Sequence, residues 1–166
     1  MTTEGLVEAF ASKVLARGVP IRRCSDSSRL TVLEEKLAKR LPQSFEVLLS
    51  NYEFPLFDVV GISLFGWDSD SNAYIEEATA KKGSLSEVLL PKGYVQIGRP
   101  DTGSFDAVCF DLNQKSQNRE YRIVEIDHEE ILCNWRVRVS RELWSSFVKL
   151  METAISISDP QITSEY

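Results

Sequence analysis

Histidine is nearly missing from these 166 residues: there is one, His128. Cysteine is scarce as well. Cys24, Cys109 and Cys133 form an odd set with no close pair spacing. No cluster has zinc-ligand spacing, and a disulfide-stapled scaffold is excluded. An odd cysteine count points to reduced thiols in a cytoplasmic setting, with Cys109 as a small core hydrophobe. No apolar run approaches the roughly 20 residues that would span a bilayer. The first residues carry Glu4 and Glu8 where a secretory signal would carry bases, so the N-terminus does not read as a leader. Positive charge is also short, with 19 Lys and Arg against 25 Asp and Glu, a net −6. That balance argues against direct nucleic-acid binding, which needs clustered cations for phosphate.

What charge there is lies unevenly. Residues 1–40 hold eight bases against five acids, residues 41–90 two against eight, and residues 91–133 five against eight. The acidic middle therefore offers a complement to a basic protein partner, the alternative being a surface that serves solubility alone.

The densest pattern lies between residues 94 and 130. Three short apolar runs, 94–98, 105–112 and 121–128, are separated by turn-rich segments, and they read as antiparallel strands. The middle run is apolar on both faces, with Val108, Phe110 and Leu112 on one and Phe105, Ala107 and Cys109 on the other. This is the pattern of a central strand covered on both sides. In the third run Val124, Ile126 and His128 share one face, and Ile123, Glu125, Asp127 and Glu129 the other.

Helices flank this stretch. Thr2 or Thr3 is placed to cap a first helix bearing Leu6, Phe10 and Val14, ended by Gly18 and Pro20. A second starts at Asp26, Ser27 or Ser28 and runs to Arg40. Leu41-Pro42 then opens a third with Phe45, Leu48, Leu49 and Tyr52 on its apolar face. Val59-Val60 and residues 62–65 resemble one strand interrupted at Gly61. A short helix is expected at 74–82 and a helical turn at 84–90. Residues 131–139 suggest a strand or irregular edge. Ser140 is placed to cap a last helix through Leu143, Phe147, Leu150 and Met151. The expectation is one α+β domain over residues 1–155, an antiparallel sheet packed on N-terminal helices and a C-terminal helix, with residues 156–166 as a mobile tail.

Catalytic apparatus is not visible. No serine sits in a G-x-S-x-G elbow for His128 and Asp127 to activate, and nothing local marks Cys109 as a nucleophile. Asp68, Asp70 and Asn72 alternate like the start of a calcium loop, but the glycine and distal glutamate of that loop are absent. No metal or cofactor is expected. His128 is expected to be structural.

The order of these signals resembles the SMI1/KNR4 family, also called the SUKH superfamily. The resemblance rests on Leu33-Glu34 and on the leucine-proline corner from Leu41-Pro42 to Leu48-Leu49. It continues through Val95-Gln96-Ile97-Gly98, Gly103, Asp106, the run from Val124 to Glu129, and the helix at 143–150. It covers residues 26–152. It implies an α+β fold without catalytic role: an immunity protein that binds and neutralises a cognate bacterial toxin, often a nuclease, or else an intracellular regulatory or scaffold domain. From charge and expected exposure, the candidate contacts to a basic toxin are Asp58, Trp67, Asp68, Asp70, Glu76, Glu77, Glu125, Asp127 and Glu129.

Overall fold

In the computed structural model, which describes residues 1–68, 74–80, 82–114 and 117–164, Thr2 caps the first helix. Its hydroxyl accepts the Gly5 N–H at 3.1 Å. Helix α1 (Thr3–Ala16) buries Leu6, Phe10 and Val14 as their spacing requires. A two-residue strand, β1 (Arg22–Arg23), leads to α2 (Ser28–Leu37). That helix stops three residues before Arg40, because Ala38 turns left-handed at φ 52°.

Helix α3 (Gln43–Asn51) begins directly after Pro42, which has no side chain able to cap it. The cap comes instead from Glu120, which accepts the Ser44 N–H at 2.8 Å and the Ser44 hydroxyl at 2.9 Å. Strand β2 (Tyr52–Glu53) pairs with β1.

The single interrupted strand expected around Gly61 is a hairpin. Strands β3 (Phe57–Val59) and β4 (Ile62–Leu64) pair antiparallel across Val60 and Gly61. These two residues have φ of 43° and 90°. Two left-handed residues match the twist of the strands they join, and the second place suits glycine.

Helices α4 (Tyr74–Ala80) and α5 (Ser86–Leu89) lie close to their expected positions, α5 running into a 3₁₀ turn at Leu90–Lys92. Strands β5 (Tyr94–Pro100), β6 (Ala107–Asp111) and β7 (Ile123–Ile126) form the expected meander.

The third run leaves the sheet at Ile126. Asp127 caps α6 (His128–Asn134), so Asp127, His128 and Glu129 do not alternate across a strand. The next strand, β8 (Val139–Trp144), lies later than expected, and α7 (Phe147–Ser156) is capped by Ser146 rather than Ser140. Leu143 and Trp144 thus belong to the sheet. Residues 160–164 are held rather than loose. Strand β9 (Thr163–Ser164) pairs with β3, Ile162 is buried, and Pro160 accepts the Val60 N–H at 3.1 Å. This pairing covers an edge that β3 would otherwise expose.

One antiparallel sheet results, in the order β8-β7-β6-β5-β4-β3-β9. Every residue of β6 is buried. Val108 and Phe110 belong to the larger core with α1, α2, α3 and α7, where Phe45 meets Phe110 and Phe147 edge-on at 5.1 and 5.0 Å. Such ring pairs add about 0.5–1.5 kcal/mol each beyond burial. Ala107 and Cys109 join a smaller core with Leu89, Val124, Ile126 and Ile131. Phe105 departs from the expected face. It precedes β6 and is 65% exposed. The molecule is a single α+β domain, and no described helix is long and apolar enough to cross a membrane.

Candidate functional site

Several of the acidic candidates are occupied by the protein's own arginines. Asp68 pairs with Arg22 at 3.1 Å, Glu76 with Arg29 at 3.3 Å, and Glu125 with Arg141 at 2.8 Å. Asp58 accepts from the hydroxyls of Ser63 and, at 3.3 Å, Thr163. Asp127 caps α6 by accepting the N–H groups of Glu129 and Glu130 at 2.9 and 3.2 Å. Trp67, expected as an exposed anchor, is 2% exposed, with its indole N–H donating to the Leu49 carbonyl at 2.9 Å. Asp70 lies outside the described residues. The basic first quarter of the chain and its acidic middle therefore neutralise one another where α2 and β1 meet the β2 and α4 segments. Among the described residues, Glu77 and Glu129 remain exposed without an ion pair, as does Glu87 on α5.

Of these glutamates, Glu77 lines a groove of about 500 Å³. Its apolar walls are Phe65, Ala78, Leu85, Phe105 and Leu132, and its polar groups are Glu77, Ser84, Gln96, Arg99 and His128. A smaller hollow of about 200 Å³ adjoins it, sharing Ser84, Leu85 and Leu132 and adding Glu87, Val88 and Trp135. Phe105, Leu132 and Trp135 are 65%, 65% and 68% exposed, so a continuous apolar ledge faces water.

Backbone irregularities build this site. The β5–β6 register shifts between Gln96 and Gly98, and this bulge resets the alternation of β5. Gln96 and Arg99, an odd number apart, therefore face the same groove. Gly98 lets β4 approach closely on the other side, since a Cβ there would collide with the Ser63 carbonyl oxygen. Trp135 ends α6 in the left-handed region at φ 53°, a place usually given to glycine or asparagine. The conformation costs a non-glycine residue about 1–2 kcal/mol, and Trp135 recovers little of that by burial.

His128 is fixed by Asp106, which accepts its backbone N–H at 3.0 Å and lies 2.7 Å from its Nδ1. Burial alone would raise the Asp106 carboxyl, but the hydrogen bonds from the His128 ring and backbone outweigh it and hold the group below its ordinary value. Asp106, Asp127 and His128 place donor atoms within 4.8 Å of one another, yet the Oδ1 of each aspartate already accepts backbone N–H groups. Cys109 is wholly enclosed, its thiol pushed far above the ordinary value by burial and then by the Asp111 charge.

Sequence reasoning did not find Phe65, Arg99, Phe105, Leu132 or Trp135 as site residues. A glycine inside an apolar strand run was the one local signal, marking the bulge beneath Arg99. No protein-family model matches the chain, and no curated protein matches it.

Proposed function

We propose that this chain is a non-enzymatic protein-binding domain. In line with the SMI1/KNR4 resemblance of residues 26–152, it acts in the cytoplasm as an immunity protein that neutralises a cognate toxin. The observation that carries the binding reading is the exposed ledge of Phe105, Leu132 and Trp135. An aromatic held outward at a strained helix end is kept at a cost to stability, and such costs concentrate where a partner recovers them. The free carboxylates of Glu77 and Glu87 rim this ledge and favour a basic partner, whose approach they steer. The acidic contacts expected at Asp68, Glu76 and Glu125 give way to this set, because their charges are already matched within the chain.

The alternative is a regulatory or scaffold domain of the same architecture. The internal pairing of so many acids favours it to the extent that acidity serves the fold. One experiment separates the two: co-expression with a toxin encoded beside this gene, followed by binding of the purified pair. Rescue of growth, with a complex weakened at least tenfold by Leu132→Ser, supports immunity through the ledge. Rescue that is indifferent to Leu132→Ser moves the interface elsewhere. Absence of both rescue and binding leaves the regulatory reading.

A further inference from the structure

We propose that the groove between α4, α6 and β5 is a binding site for a small aromatic or branched organic carboxylate that also carries a hydroxyl or N–H donor. The inference goes beyond protein docking and stands or falls separately from it.

Arg99 is the central observation. Its guanidinium lies over the rings of Phe65 and Phe105, at 5.5 and 5.8 Å from their centroids, and it has no carboxylate partner among the described residues. Two aromatic rings hold the cation by their faces and leave its N–H edge open, the edge that bonds a carboxylate in bidentate fashion. Every other arginine discussed above has a carboxylate within 4 Å. Arg99 is the exception, and it lines the groove of about 500 Å³.

The second observation is Gln96. Its side chain is 94% buried, its Nε2 donates to the Gly98 carbonyl at 3.2 Å, and its Oε1 makes no hydrogen bond. An acceptor that no protein group occupies, on a residue lining the groove, suits a ligand that brings a donor. The β5 bulge aims both residues into the same space. His128, its Nδ1 committed to Asp106, lines the same groove. Phe65, Leu85, Phe105 and Leu132 supply the apolar surface for a ring or branched chain. Glu77 is the single acid in the lining and sits on the α4 side, and it disfavours a ligand bearing a second carboxylate.

The probe is 3-(4-hydroxyphenyl)propionate, titrated into the purified protein and followed by amide NMR shifts and calorimetry. Binding at about 0.1–1 mM is expected for a ligand of this size. Its neutral amide should bind at least tenfold more weakly, and Arg99→Gln should erase that difference. Removal of the ring hydroxyl should weaken binding severalfold in the natural protein and have no effect in Gln96→Leu. Arg99 is exposed, so its variant is expected to fold normally, which circular dichroism checks. Equal affinity for acid and amide would overturn the proposal, as would shifts confined to residues away from Phe65, Gln96 and Leu132. If instead no probe of this class binds, but a partner protein does and protects the same residues, the groove is a docking surface and the small-ligand site is refuted.

Discussion

The guanidinium of Arg29 lies over the indole of Trp67, 4.2 Å from the ring centroid. The same arginine bonds Glu76 and the Asp68 carbonyl, and its Nη1, which makes no hydrogen bond, faces Glu53 at 3.9 Å. Trp67 is thus closed over from above and tied to Leu49 through its N–H. Replacing Arg29 with Ala should cost about 2–3 kcal/mol, since it leaves Glu76 and a buried indole without their partner. A double-mutant cycle with Trp67→Leu, read by urea unfolding, should give a coupling of about 0.5–2 kcal/mol. Additive effects would show that the stacking is incidental.

Trp135→Gly should stabilise the free domain by about 1 kcal/mol while weakening any complex formed through the ledge. Thermal unfolding reads the first effect and partner titration the second. A variant that is less stable would mean that Trp135 contributes packing that outweighs its backbone strain.

Asp106 makes the fold sensitive to acid. Its folded carboxyl titrates below the usual value of 3.8, so the unfolded chain binds the proton first as pH falls. The stability this group contributes is complete above that value and is lost as pH drops through the folded one. Asp106→Asn should flatten the decline of stability below about pH 4, and carboxyl NMR titration should place Asp106 below the ordinary aspartate value. An unchanged slope would sink the assignment. His128→Gln should lower stability as well, through loss of the ring contact to Asp106.

The three thiols should separate by reactivity. Cys133 is exposed, Cys24 half-buried and Cys109 enclosed. With an aromatic disulfide reagent, Cys133 should react promptly and Cys109 only on unfolding. Reaction of Cys109 in the native protein at the rate of Cys133 would mean that the smaller core opens readily.

Ile162→Ala should cost about 2–4 kcal/mol, an ordinary core truncation. A mobile tail would show no effect. The measurement is the urea midpoint, with limited proteolysis after residue 156 as a second readout.

Elements with strong periodicity were legible in the sequence. The stripe of α1, the leucine-proline entry to α3 and the doubly apolar β6 follow from local spacing, and the structure keeps them. The losses have particular causes. Val60-Gly61 carries a tight turn whose first left-handed residue is β-branched, which no propensity favours. β8 mixes Arg141 and Glu142 into an edge strand, and that hides its alternation. The α6 start did have a signal, Asp127 followed by Glu129 and Glu130, the usual cap and acidic first turn. It was masked by the apolar alternation running up to it. The site was hardly legible at all. Its residues come from positions 65 to 132 on separate elements, and the charges that looked available were cancelled by arginines as many as 47 residues away.

The order of the sheet also bears on when this protein becomes a protein. Strand β3, made by residue 59, has its outer neighbour only at residues 163–164, and Phe10 on α1 rests against Phe147 on α7. A ribosome must therefore pass residue 147 before the ring contact can form and residue 164 before the strand pairing. Until then the apolar face of α1 and the edge of β3 stand open to solvent. The interval before closure is the one in which a chaperone would have most to hold.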